Sequence, residues 1–526
     1  MMKASDLLVR CLEEEGVEYV FGLPGEELED LLFSLRESEI TFIPVRHEQG
    51  AAFMADVHGR LTGEAGVCLA TLGPGATNLI TGVADAHLDK SPLVAITGQG
   101  GRERLHKESH QALDIVHMFE PVVKWNSQIT DAETIPESVR KAFKLAEFEK
   151  PGATHLEFPE DVADEDVTAS VLPTRPRVRR PDPDRDSLTR ATDLVEAAES
   201  PLVLAGNGAV RTRAARRLRQ LVEHVGMPVI ATYMGKGAVS DRLDASLLTL
   251  NSGPVGEAAS AMDRADCVIA VGYDIAEHDP KSWNPDRDKT VIHVDHEPAE
   301  VYEHYNPDVE LVADISATLD ELRERLDSVE GPEWCSGLRE RIVEDVSRKP
   351  DADEPFSVKR TLPYLREAMA DGDVLISDVG SHKMAIARHF PSYEPNTCII
   401  SNGLASMGIA VPGGIAADLA LETNVVVATG DGGFLMNAAE IETATRLDLG
   451  FTIVVFNDDD YGLISEKQVE HTGEQFGTGL TNPDFVTFAE SFGIEGHRPE
   501  TWTAVKSTLE DAIASDEMVL VEIPLA

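Results

Sequence analysis

Short apolar runs recur along the chain and alternate with longer stretches of helical character. Tyr19-Val20-Phe21, Thr41-Phe42-Ile43-Pro44-Val45, Val67 to Thr71 and Leu93 to Thr97 are the runs of the first part, with helices expected over 5–15 and from Glu26. Runs without polar alternation read as strands covered on both faces, the pattern of a parallel sheet. Their alternation with helices predicts a doubly wound α/β unit over residues 1–165. Pro159-Glu160-Asp161-Val162 and the Pro, Arg and Asp run from Pro173 to Asp186 mark its end, giving a solvated linker over 166–187.

The rhythm then repeats twice. Pro201 to Ala205, Cys267 to Gly272 and Val291 to Asp295 predict a central Rossmann-like unit over 188–335, and 336–355 reads as a second linker. Val374 to Asp378, Val425 to Thr429, Phe451 to Phe456 and Met518 to Ile523 predict a third unit over 356–526. The fold class expected is therefore α/β, with three doubly wound parallel-sheet domains. In the middle unit the turn Gly206-Asn207-Gly208 lacks a full G-x-G-x-x-G, so a structural turn is expected there ahead of a dinucleotide site.

Length and charge narrow the function. A chain of 526 residues exceeds one core. The net charge of −47 repels nucleic acid and anionic membrane, and its spread along the whole sequence suggests the surface of a salt-adapted protein. Five scattered cysteines without a C-x-x-C pair suggest a reducing compartment. No apolar stretch is long enough to span a bilayer, and the first residues lack a signal-peptide core, so a cytoplasmic location is expected.

The clearest chemistry lies at two strand ends. Gly430-Asp431-Gly432-Gly433-Phe434 follows one apolar run, and Asn457-Asp458-Asp459-Asp460-Tyr461-Gly462 ends the next. Asp458 stands 27 positions after Asp431, about one strand-helix-strand crossover, so both oxygen clusters should emerge on one carboxyl edge of the sheet. Glycines there allow close approach of a diphosphate, and two carboxylates with a backbone carbonyl and phosphate oxygens would suit octahedral Mg²⁺. Alone, Gly-Asp-Gly is also an ordinary turn. A second candidate is Glu48, in Arg46-His47-Glu48-Gln49-Gly50, where a strand turns into a helix; by itself this is only a good partner for the helix dipole.

Together these words resemble the thiamine-diphosphate enzymes, whose cofactor motif begins Gly-Asp-Gly and ends some thirty residues on in asparagine. Phe21-Gly22-Leu23-Pro24-Gly25 and Gly73-Pro74-Gly75-Ala76-Thr77-Asn78 agree with that family on either side of Glu48. The resemblance implies a pyrimidine-binding first domain and a diphosphate-binding third domain. It makes Glu48 the carboxyl that hydrogen-bonds the pyrimidine ring. It assigns cofactor contacts to Gly25, Gly380, Ser381, His382, Gly403, Met407, Gly430, Asp431, Gly432, Gly433, Asp458, Asp460, Tyr461 and Gly462. Asp431, Asp458 and Asp460 are the implied Mg²⁺ ligands, and Gln111 and Phe119 the implied substrate-pocket residues. Met407 matches the bulky residue that bends the cofactor. Because the family shares each site between two subunits, a homodimer or homotetramer is implied.

Within the family the chain is similar to acetolactate synthases of the large catalytic type, particularly the catabolic, flavin-independent form. Trp283-Asn284, Asn306 to Val312 and Phe488-Ala489-Glu490-Ser491-Phe492-Gly493 carry that likeness. It implies joining two small 2-oxo acids with loss of CO₂, and admits a regulatory subunit. Three positions depart from common patterns. Asp458 replaces the usual metal-binding Asn, as in the catabolic subgroup. Gly272 to Glu277 lacks the Arg-containing word of flavin-containing relatives, which argues against FAD. Lys467 stands where biosynthetic synthases carry a Trp that favours 2-oxobutyrate, so little such preference is expected. An FAD-dependent pyruvate oxidase and a simple 2-oxo acid decarboxylase are the competing readings on this architecture. His106, His110 and His117 read as incidental to an active-site loop or as a metal site.

Overall fold

The computed structural model describes residues 2–174, 180–328 and 333–525; residues 175–179 of the expected linker run lie outside the described residues. Three six-stranded sheets form, with every neighbouring pair parallel. The first sheet runs Thr41–Pro44, Tyr19–Gly22, Gly66–Ala70, Leu93–Gln99, Ala153–Pro159, Trp125–Gln128. The third runs Cys398–Ile400, Val374–Ser377, Val425–Gly430, Thr452–Asn457, Val519–Pro524, Glu495–His497. Counted within each unit, both have the order 2-1-3-4-6-5. The middle sheet, Ser246–Thr249, Val229–Ala231, Pro201–Ala205, Cys267–Val271, Thr290–Asp295, Val309–Val312, has the Rossmann order 3-2-1-4-5-6.

The expected strands form within a residue or two of their sequence positions. Central strands such as Val425 to Ala428 are wholly or almost wholly buried, as the unbroken apolar runs require. Two expectations about linkers are corrected. Leu338–Ser347 is a helix, not linker, because Leu338, Ile342 and Val346 form an i, i+4, i+8 stripe that packs into the middle unit's core. At the first linker, Asp166–Val167 pairs antiparallel with Met2–Lys3, and a helix already begins at Arg185.

The first and third units pack together through small-residue helices. Glu48–Thr62 lies against Ala410–Ala420, and their residues Ala51, Ala52, Ala55, Ala416 and Ala417 belong to one continuous core. A Cβ on Gly413 would stand 3.0 Å from Val57 Cγ2, so the two helix backbones come close there. A buried charge cluster also crosses this interface. Arg60 bonds Asp56, Asp85 and Asp89 of the first unit and the Ile400 carbonyl of the third.

Candidate active site

Open α/β sheets bind ligands where the strand order reverses. In the third unit that point lies between the ends of Val374–Ser377 and Val425–Gly430. A cavity of about 240 Å³ opens there. Gly380, Ser381, His382, Met407, Gly430, Asp431, Gly432, Gly433, Asp458, Asp460, Tyr461 and Gly462 all line it. Gly403 does not: its amide donates to Asp89 Oδ1 and it borders a separate cavity between the units.

The cavity is shaped for a close anionic guest. A Cβ on Gly432 would sit 2.7 Å from the Tyr461 ring, and one on Gly462 would sit 2.7 Å from Asp458 Oδ2, so side chains at these turns would fill the cradle. Asp431 begins a helix that runs to Asn437, and Ser381 begins another that runs to His389. His382 Nε2 is buried with no hydrogen-bond partner among the described residues, and burial holds the ring neutral by lowering its pKa to about 4.

Asp431 and Asp458 lie within hydrogen-bonding reach of each other. Burial raises the pKa of Asp431. Burial and then the Asp431 charge push Asp458 up to about 6. Two hard-oxygen groups held together against their own repulsion fit a divalent cation such as Mg²⁺. Asp460, expected as a third ligand, turns its Oδ2 to Ser465 on the following helix, while its Oδ1 is buried without a partner. Among the described residues no group of three or more His, Cys, Asp or Glu side chains is arranged to hold a metal; the acidic donors are a pair, and His106, His110 and His117 form no such site.

Two further residues shape this site. Asn482 Nδ2 donates to Asp431 Oδ2 (2.5 Å), Asp459 Oδ1 (2.9 Å) and Asn457 Oδ1 (3.0 Å), tying together the two strand-end clusters. The sequence reading did not single out Asn482, which lies in a loop far from both clusters along the chain. Asp378 accepts from the amides of Gly408 (2.9 Å) and Ala410 (3.3 Å), anchoring the far side of Met407.

The candidates of the first unit gather elsewhere. Glu48 is buried at its helix start, and its Oε2 accepts from Asn78 Nδ2 at 3.0 Å. A Cβ on Gly75 would lie 3.4 Å from Glu48 Oε1, and Gln111, at φ 56°, packs on Gly73. The Glu48 corner and the Gly73 to Asn78 turn thus meet. Gly25 faces Thr71 at this unit's own order reversal. Phe119 is wholly buried and stacks on His155 at 4.1 Å, so within one chain it is a core ring; its apolar surface is satisfied there. No residue of the first unit lines the Asp431 cavity. Instead Glu440 of the third unit accepts from the amides of Arg46 and His47, bracing the Glu48 corner from behind.

At the middle unit's reversal the buried carboxyl is Glu277. It accepts from the amides of Asn207 (3.0 Å) and Asp274 (3.0 Å) and from Thr232 Oγ1 (2.5 Å).

Comparison with known proteins agrees with this geometry. The thiamine pyrophosphate enzyme N-terminal domain matches residues 2–118, the central domain 188–322 and the C-terminal domain 378–523. An acetolactate synthase of Bacillus subtilis is 34% identical over 99% of this chain and 93% of its own length. The chain belongs to the acetolactate synthase group of the thiamine pyrophosphate enzymes. A catabolic acetolactate synthase of Raoultella terrigena is 35% identical, covering 99% of this chain and 94% of its own. A probable acetolactate synthase large subunit of Methanocaldococcus jannaschii is 33% identical over 99% and 92%. The Glu48 corner lies in the unit matched by the N-terminal thiamine pyrophosphate binding domain, and the glycine-lined cavity in the unit matched by the C-terminal one. Among the described residues no helix is long and apolar enough to cross a membrane.

Proposed function

We propose that this chain decarboxylates one pyruvate and joins the two-carbon unit to a second, giving 2-acetolactate and CO₂. The observation that carries the reading is the Asp431–Asp458 pair, set in glycine turns at the third unit's order reversal of a chain otherwise like acetolactate synthases. When bound, thiamine diphosphate supplies the electron sink for decarboxylation. Asp431 and Asp458 hold Mg²⁺, and Gly380, Ser381 and His382 border the diphosphate. Glu48, steadied by Asn78, gives its carboxyl to the pyrimidine ring and so controls where a proton resides. Met407 supplies the apolar wedge, and Gln111 faces the substrate.

Since Glu48 and the Asp431 cavity do not meet within one chain, a second copy completes each site, in a homodimer or homotetramer. Glu277, the carboxyl buried at the middle unit's reversal, supports a flavin-free enzyme. A regulatory subunit and a cytoplasmic setting belong to the same proposal. So does salt adaptation, motivated by the −47 charge: the melting temperature should rise between low and molar KCl, and a flat profile removes that part.

The deciding experiment incubates the protein with pyruvate, thiamine diphosphate and Mg²⁺ in molar KCl and identifies the products. Acetolactate and CO₂ in equal amounts are expected. Acetaldehyde alone, or oxygen uptake by a yellow protein, would refute the assignment. Glu48→Gln should abolish CO₂ release while leaving the fold intact.

A further inference from the structure

Met407 sits on a stretch, residues 401–409, that belongs to no strand or helix. Such a stretch has no ladder of its own, so its polar groups need partners from outside. Before Met407 these come from the first unit. Asp89 accepts from the amides of Asn402 (3.1 Å) and Gly403 (2.5 Å), and Asp85 Oδ1 accepts from Ser401 Oγ (2.7 Å) and the Ser406 amide (3.4 Å). After Met407 they come from Asp378. Met407 is therefore clamped between two sets of anchors, one of them across a domain interface.

The first set is itself fixed. Asp85 and Asp89 are buried, and Arg60 Nη2 reaches both, at 3.5 and 2.6 Å. The same guanidinium is pinned by Asp56 through two bonds of 2.9 and 3.0 Å and donates to the Ile400 carbonyl, next to the stretch, at 3.0 Å. Little slack remains: a Cβ on Gly403 would lie 2.8 Å from Asp89 Oδ1, and Ala405 is held at φ 56°, a backbone that alanine adopts only when its surroundings impose it. The middle unit joins the same knot, since Asn207 Nδ2 donates to the Asp89 carbonyl and Asn402 Nδ2 to the Glu277 carbonyl.

We propose that Asp85 and Asp89, fixed by Arg60, are positioning residues that set where Met407 enters the cofactor cavity. None of the three lines that cavity, so any effect on the cofactor must pass through the stretch they hold. The inference rests on the reading of the cavity as a thiamine diphosphate site.

A double-mutant cycle of Asp89→Asn and Met407→Ala tests it. Cofactor binding is followed by calorimetry with thiamine diphosphate and Mg²⁺, the bound cofactor by near-ultraviolet circular dichroism, and turnover by kcat at saturating cofactor. Each single variant should lower kcat on the order of tenfold to a hundredfold, as small misplacements do, and shift the dichroism in the same sense. The double variant should be no worse than Met407→Ala alone, because both changes remove one effect. Multiplied losses, or an unchanged dichroism in Asp89→Asn, would overturn the proposal. If Asp89→Asn does not fold, Ser401→Ala takes its place with the same two outcomes. Wild-type protein that binds no thiamine diphosphate would overturn the reading of the cavity and this inference with it, whereas binding with multiplied losses would overturn this inference alone.

Discussion

Around Arg60 three buried aspartates share one guanidinium; around Asp431 two aspartates meet, and among the described residues no side-chain cation answers them. In the first cluster Asp85 is still raised well above the ordinary range by burial and by Asp89 and Asp56, but Arg60 and the Ser401 hydroxyl pull the other way. In the second, the burial of Asp431 is offset by Asn482, by backbone amides and by a hydrogen bond with Asp458 itself, none of them a cation. The residue type is the same, and the difference is whether the chain brings its own positive charge. A cluster that does so is a joint; one that does not leaves its charge to be met from outside, the role proposed above for Mg²⁺.

The comparison can be broken most directly at Asp431. Asp431→Ala should weaken Mg²⁺-dependent cofactor binding by more than the ~100-fold that loss of an outer partner of a metal site costs, with the melting temperature unchanged or raised. Calorimetric titration reads the first and thermal unfolding the second. The reverse pattern is expected for Arg60→Met, which strands buried carboxylates and should cost about 3–5 kcal/mol in denaturant unfolding. A stable Arg60→Met protein would erase the distinction between the clusters.

Glu277 offers a finer test, as a buried carboxyl that forms no salt bridge among the described residues. Burial and then the Asp274 charge push its pKa from 4.5 up to about 8. The folded chain keeps this proton where the unfolded chain has released it. The contribution is therefore full below about 4.5 and is lost as pH rises through about 8. Glu277→Gln can keep its oxygen toward the Asn207 and Asp274 amides and donate to Thr232. Its melting temperature should gain on wild type between pH 6 and pH 8.5, and parallel curves would show that the carboxyl does not titrate in this window.

Much of this was legible in the sequence because the strands of a doubly wound sheet are unbroken apolar runs and its site residues follow their ends. Gly430 to Gly433 and Asp458 to Gly462 came together because one crossover separates them. Edge strands were harder. Trp125–Gln128 is polar and only half-buried, and Glu495–His497 is short with a polar residue at each end, so neither announces itself by period. Asn482 joins the site through a loop, where sequence distance carries no geometric information. Asp460, implied as a ligand by the resemblance, shares its carboxylate: Ser465 donates to Oδ2, a contact that the acidic run alone does not announce.

The five cysteines follow the partition of the fold, with Cys11 and Cys68 in the first unit, Cys267 and Cys335 in the middle and Cys398 in the third, all buried. Burial pushes the Cys11 and Cys267 thiols up to about 12, so the intact chain should resist alkylating dyes. Each thiol becomes reactive only when its own surroundings loosen. Peptide mapping of a brief labelling pulse would therefore report which third of the molecule opens first, with no engineered probe.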